Sequence, residues 1–175
     1  DMGKPVMKTT DENGRDHFKG HAIASEQIAK TVMKRLKFDN DTIRKVTKLV
    51  AYHDYRMEPT GANVRRAMHE IGVELFPYYL AVRLADTKAQ SSYERRGKLE
   101  NIIQIRELYR NALRNKECVT LKDLAVTGTD LINLGIAPGK ELGTLLNELL
   151  DIVIEDPAWN QKGKLCDYVK ERFGF

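Results

Sequence analysis

Long apolar runs are missing from these 175 residues. No stretch approaches the roughly 20 consecutive apolar residues of a membrane-spanning helix, and no charged-then-apolar segment of the signal-peptide kind opens the chain. The expectation is a cytoplasmic protein with no membrane partner. Cysteine is scarce: Cys118 and Cys166 lie far apart with no CxxC spacing, which argues against a zinc knuckle or a disulfide framework and for two reduced thiols. Aromatic residues make up only 7%, while Leu, Ile, Ala, Lys and Glu recur at helical steps, so an all-α fold is expected over a sandwich or barrel. Internal repeats and low-complexity tracts are absent as well. Apolar content is ample at 42%, enough to build a core in a chain of single-domain size.

Charge is unevenly placed. The net charge is +4, but between Lys88 and Lys122 nine Lys and Arg face four Glu, so that segment carries +5 and the rest sums to −1. A positive field concentrated in mid-chain fits a phosphate backbone as partner, although a solvated helix face has the same composition.

Residues 1–20 hold Pro5, Gly14, Gly20 and a polar run, and read as a loop leading into a helix that begins near Gly20. Ser25, Ile28, Ala29, Val32, Met33 and Leu36 then form a stripe about four turns long. The Asp39-Asn40-Asp41 cluster offers caps for a second helix burying Ile43, Val46, Leu49, Val50 and His53. A third spans about Ala62 to Ile71 and stops at Gly72. A fourth starts near Pro77 with Leu80, Val82, Leu84 and Asp86 on or near its inner side. From Ser92 a longer helix buries Leu99, Ile102, Ile105, Tyr109 and Ala112, and lines up Arg106, Arg110 and Arg114 on another face. A short helix after Leu124, a Gly-Ile-Ala-Pro-Gly connection, a helix from Lys140 to Glu155 closed by Pro157, and a last one from Leu165 to Phe173 complete the chain.

Two ionisable residues fall on apolar faces. His53 follows Val46 and Val50, and Asp86 follows Tyr79 and Val82, at helical steps. A buried carboxylate costs several kcal/mol unless compensated, so Asp86 needs a partner: a neighbouring Arg such as Arg83, a helix N-terminus, or a metal ion. His17 and His21 sit four apart at the mouth of the first helix, and with His53-Asp54 they supply donors of the kind that bind borderline divalent metals. Each histidine alone is equally a capping or hydrogen-bonding residue.

Taken in order, these residues resemble a known family. Asp1-Met2-Gly3-Lys4-Pro5 looks like the end of the HD-superfamily motif His-Asp-(Ile/Met)-Gly-Lys-Pro, its histidine expected just before position 1. His17-Phe18-Lys19-Gly20-His21, Tyr52-His53-Asp54 and Ala85-Asp86 follow in the order of the HD domain of bacterial tRNA nucleotidyltransferases, the CCA-adding and poly(A) polymerase family. Leu124 to Leu131 and Gly135 to Gly143 are similar to that family's C-terminal region.

The resemblance implies a helical HD-domain-like bundle over 1–91, truncated at its N-terminus, a basic connecting helix over 92–122, and a helical tRNA-binding tail over 123–175. It implies metal ligands at Asp1 and Asp86, with His21 and His53 as the additional histidines, for a divalent ion such as Mg, Mn or Ni. A catalytic head binding the nucleotide substrate is expected upstream, and without the preceding histidines this chain alone is not expected to hydrolyse phosphoesters. A complete site would cleave small substrates such as cyclic phosphates or nucleotide 2′-phosphates. The implied partner is tRNA, held at its elbow by phosphate contacts. Arg106, Arg110 and Arg114 would form one part of the track. Gly128, Gly135 and Gly139, with the N-terminus at Lys140, would form the other, although each glycine is equally a helix cap. Three readings follow: a tRNA-binding body, a stand-alone HD phosphohydrolase, and an HD motif kept only for structure.

Overall fold

The computed structural model describes residues 1–92 and 94–174. As expected the protein is all-α. The helices are α1 (Lys4–Met7), α2 (His21–Arg35), α3 (Asn40–Tyr52), α4 (Gly61–Ile71), α5 (Phe76–Ala89), α6 (Arg95–Arg114), α7 (Gly128–Asn133), α8 (Lys140–Glu155) and α9 (Lys162–Phe173), with a short 3₁₀ turn at Pro157–Trp159. The opening segment is more ordered than a loop. After α1, strands β1 (Thr9–Thr10) and β2 (Asp16–His17) form a small antiparallel hairpin pairing Thr9 with His17 and Thr10 with Asp16. Asp11 closes its turn by accepting the N–H groups of Asn13 and Arg15, both at 2.9 Å.

Local chemistry explains the boundaries. Asp39 caps α3, taking the Thr42 N–H at 2.9 Å and the Thr42 hydroxyl at 2.6 Å. Pro77 sits in the first turn of α5, where its missing N–H costs nothing. A capping box at Thr127 and Asp130 starts α7. Lys162 Nζ donates to Asp130 at 2.6 Å and, with the Thr127 bonds, holds that carboxyl down at about 2.

The chain divides into two compact units. The first comprises Asp1–Arg56 and Ile71–Ile102. In it α1 lies on α2, α2 packs along α3, and α3 meets α5. Its buried side chains include Ala29, Ile43, Phe76, Tyr79 and Leu80, with Tyr79 donating its hydroxyl to the Tyr55 carbonyl at 2.7 Å. The inward faces are offset from those the apolar residues indicate. On α3 Thr47 is buried and Val46 exposed; on α5 Arg83 and Thr87 are buried and Val82 is exposed.

The second unit comprises Met57–Glu70 and Ile103–Phe175. Its core is built from Leu124, Val126, Leu131 and Ile136, the inner face of α8 (Leu145, Leu149, Leu150, Val153, Ile154), and Leu165 and Val169 of α9. Val64, Ala67 and Met68 of α4 are fully buried. Both cysteines are free, and burial pushes the Cys118 thiol up to about 11. No helix among the described residues is long and apolar enough to cross a membrane.

Candidate metal centre and basic surfaces

His21 and His53 come from opposite ends of their helices. Gly20, at φ +80, turns the chain out of β2 and makes His21 the first residue of α2. His53 follows the last turn of α3. The Nδ1 of His21 bonds the Phe18 carbonyl at 2.8 Å, and that of His53 bonds the Val50 carbonyl at 2.7 Å. A carbonyl only accepts, so each Nδ1 carries a proton, and in the neutral tautomer that this bond selects each ring presents the lone pair of Nε2.

Those two Nε2 atoms lie 3.2 Å apart, and Asp1 Oδ1 stands 3.5 Å from His21 Nε2 and 3.2 Å from His53 Nε2. All three ligand atoms fall within 4.8 Å of one another. Two lone pairs and a carboxylate oxygen aimed at one region repel unless a cation or proton lies among them. The donor set, with both rings oriented by backbone carbonyls, therefore fits a borderline divalent ion. The group lines a cavity of about 610 Å³ that also takes in Lys4, Lys19, Arg56 and Asp86.

Asp1 is positioned by contacts that the sequence pattern does not announce. Lys4 Nζ pairs with its carboxylate at 2.7 Å. Gly3 is buried against α2, its N–H donating at 2.9 Å to the Oγ of Ser25, which has no exposed surface. A Cβ on Gly3 would stand 2.5 Å from the His21 carbonyl oxygen and 2.7 Å from Ala24 Cβ. Ser25 reads in sequence as one member of a core stripe, and a hydroxyl on that stripe was the only signal of a partner.

The other candidates lie apart from the convergent set. Asp86 is half-buried in the same cavity, and its Oδ2 accepts the side-chain amide of Gln90 at 2.6 Å; among the described residues it makes no ion pair with Arg83. His17 is exposed on β2 with Nε2 2.9 Å from Asp11, and this contact, with the turn N–H groups, holds the Asp11 carboxyl below its ordinary value. Asp54 pairs with Arg56 at 3.1 Å.

In the second unit, Arg106, Arg110 and Arg114 are all exposed on α6 at one-turn steps. Arg110 pairs with Glu107 at 2.7 Å, whereas Arg106 and Arg114 have no acidic partner among the described residues. Gly128 is the first residue of α7, and a Cβ there would meet Leu142 Cδ2 at 3.6 Å, so it faces α8. Gly135 has φ +104. Gly139, at φ +149, precedes α8 with open space beside it and no side-chain cap, and the exposed Lys140 follows. The acidic Glu141 shares that first turn.

Residues 21–169 match the family described as tRNA nucleotidyltransferase domain 2. Over 161 residues the chain is 28% identical to the CC-adding tRNA nucleotidyltransferase of Thermus thermophilus, covering 89% of this chain and 34% of that protein. The chain thus spans about a third of the length of the curated relative it matches. No solved structure matches it.

Proposed function

Because this chain belongs to the tRNA nucleotidyltransferase domain 2 family, we propose that it is the tRNA-holding body of a nucleotidyltransferase that extends tRNA 3′ ends, as its CC-adding relative is named for doing. The observation that carries this reading is the exposed line of Arg106, Arg110 and Arg114 on α6. Guanidinium groups pair strongly with phosphates, and the deep, narrow major groove of a folded RNA keeps side chains from its base edges, so such a line would fix where the RNA lies without reading its sequence. The uncapped start of α8 at Gly139 and Lys140 supplies backbone N–H groups for a further phosphate. Nucleotide choice would rest with a catalytic head outside this chain, and work on tRNA ends implies action in the cytoplasm.

The test is binding of this chain to a tRNA lacking its terminal CCA, titrated across salt, against an unstructured RNA of equal length. The folded tRNA is expected to bind more tightly, with log K falling steeply against log[salt]. Replacing all three arginines by Gln should lower that slope by about 2 to 3, since each neutralised phosphate contributes roughly 0.7 to 0.9. Equal binding of the unstructured RNA would sink the reading.

The convergence of Asp1, His21 and His53 favours a second activity once the histidines expected before position 1 complete the site, an HD-type phosphohydrolase acting on cyclic phosphates or 2′-phosphates of nucleotides. These three residues would hold the divalent ion, with Asp86 facing the same cavity, and their two imidazoles suit Ni better than Mg. When bound, such an ion lowers the pKa of a coordinated water and offsets phosphate charge. The chain's own part is to orient both rings through the Phe18 and Val50 carbonyls, and to offer Lys19 and Arg56 to a phosphate. Calorimetric titration with Mn²⁺ or Ni²⁺ checks this: His53→Ala should weaken binding at least about tenfold, given that even outer-shell changes cost 10- to 100-fold. For Asp86→Ala in a chain extended by the preceding histidines, loss of metal and hydrolysis supports catalysis, and loss of stability alone supports a structural motif.

A further inference from the structure

The helices α2 and α3 enclose a second cavity, about 420 Å³, whose lining is unusually cationic. Lys30 and Lys34 enter it from α2 at one-turn spacing, and Arg44 and Lys48 enter from α3 at the same spacing. Glu26 is the one acidic residue in its lining, and the buried Thr47 lies between Arg44 and Lys48 along α3.

How these charges are neutralised separates the groove from an ordinary solvated helix face. The chain has 25 Asp and Glu for its 29 Lys and Arg, so acidic partners are plentiful. Beside the groove they are used: Asp41 pairs with Lys45 at 2.6 Å and also takes Arg44 of the lining at 2.7 Å. Within it, Lys30, Lys34 and Lys48 make no ion pair among the described residues, and Lys48 Nζ instead stands 5.1 Å from the centroid of the Tyr52 ring. Like charges placed one turn apart on a helix are destabilising, and here two helices each do it toward one groove. An arrangement that costs stability and leaves three of its four cations without an ion pair among the described residues is complementary to an anion with charges in a row.

We propose that this α2–α3 groove is a second phosphate-backbone contact for RNA, with Lys30, Lys34 and Lys48 as the contacting cations. This rests on the reading of the chain as a tRNA-binding body, and adds a surface in the first unit to the arginine line in the second. A row of cations along two helices fits successive phosphodiesters better than a compact single anion, which one cluster of donors would hold.

The experiment measures binding of the whole chain to a tRNA lacking CCA by fluorescence anisotropy across salt, for wild type, Lys30→Gln/Lys34→Gln/Lys48→Gln and Lys45→Gln. All the replaced residues lie on helix surfaces, and unchanged far-UV circular dichroism verifies folding. The triple variant should lose about 2 to 3 from the salt slope and roughly a hundredfold in affinity near 0.1 M salt. Lys45→Gln, whose charge Asp41 already matches, should change affinity less than about twofold. Wild-type slope and affinity in the triple variant, with the parent chain binding normally, would overturn the groove while leaving the tRNA-body reading intact. Absence of binding by the parent chain would overturn both. Displacement of the tRNA by millimolar mononucleotide, lost in the triple variant, would overturn the backbone assignment in favour of a small phosphate ligand.

Discussion

Gly3 and Ser25 hold the first residue of the chain where it meets two histidines. The Gly3 N–H reaches a hydroxyl with no exposed surface, and the α2 backbone leaves no room for a side chain at Gly3. Ser25→Ala leaves that N–H buried without a partner, at about 1–3 kcal/mol. Gly3→Ala forces α1 away from α2, at a similar cost of about 1–3 kcal/mol from overpacking. Both should lower the urea midpoint, and Gly3→Ala should also weaken divalent-metal binding because Asp1 moves with α1; undiminished metal affinity would show that Asp1 is not a ligand. At this scale the sequence supplied candidates but not their geometry. His21 and His53 are 32 positions apart, and nothing in their spacing reveals that Phe18 and Val50 turn both Nε2 atoms toward each other. Only motif resemblance brought them together on paper.

Among the elements, α8 is held at its C-terminal end by one buried side chain. Arg65 of α4 donates to the Ile154 carbonyl at 2.7 Å and the Glu155 carbonyl at 3.0 Å, and pairs with Glu117 at 2.8 Å. Carbonyls at a helix end lack intrahelical partners and carry the negative end of the dipole, so a cation there acts on both. Arg65→Met removes all three bonds and leaves the half-buried Glu117 without its ion pair, held only by the Asn115 amide at 3.1 Å; about 2–4 kcal/mol of unfolding free energy should be lost. Denaturant unfolding would show this as a lower midpoint at unchanged slope, and an unaltered midpoint would refute it. Helix limits marked by a cap or a proline, at Asp39, Gly72 and Pro77, were legible beforehand. Faces were less so, because Thr47, Arg83 and Thr87 point inward while the β-branched Val46 and Val82 point out. The hairpin escaped notice because strands of two residues carry no alternation, and its turn depends on the Asp11 side chain.

For the whole molecule, the path of the chain matters more than its length. Residues 57–70 belong to the second unit although they lie in sequence between the two parts of the first. Arg65 and His69 of that insert bond the Ile154, Glu155 and Val119 carbonyls, so a fragment of residues 103–175 lacks the side chains that hold those groups. It should melt without a sharp transition, whereas residues 57–175 should retain one; circular dichroism during heating distinguishes them, and equal cooperativity would refute the expectation. Composition had indicated a helical protein with its positive charge in mid-chain, but a crossing of this kind leaves no mark in periodicity or charge. Its consequence reaches beyond folding into descent. A lineage cannot gain, lose or exchange either unit through one recombination point, since a single junction anywhere from 57 to 102 divides a unit. The α2–α3 groove and the α6 arginines are therefore expected to be inherited together, and relatives should vary by point substitution within both rather than by shuffling one against the other.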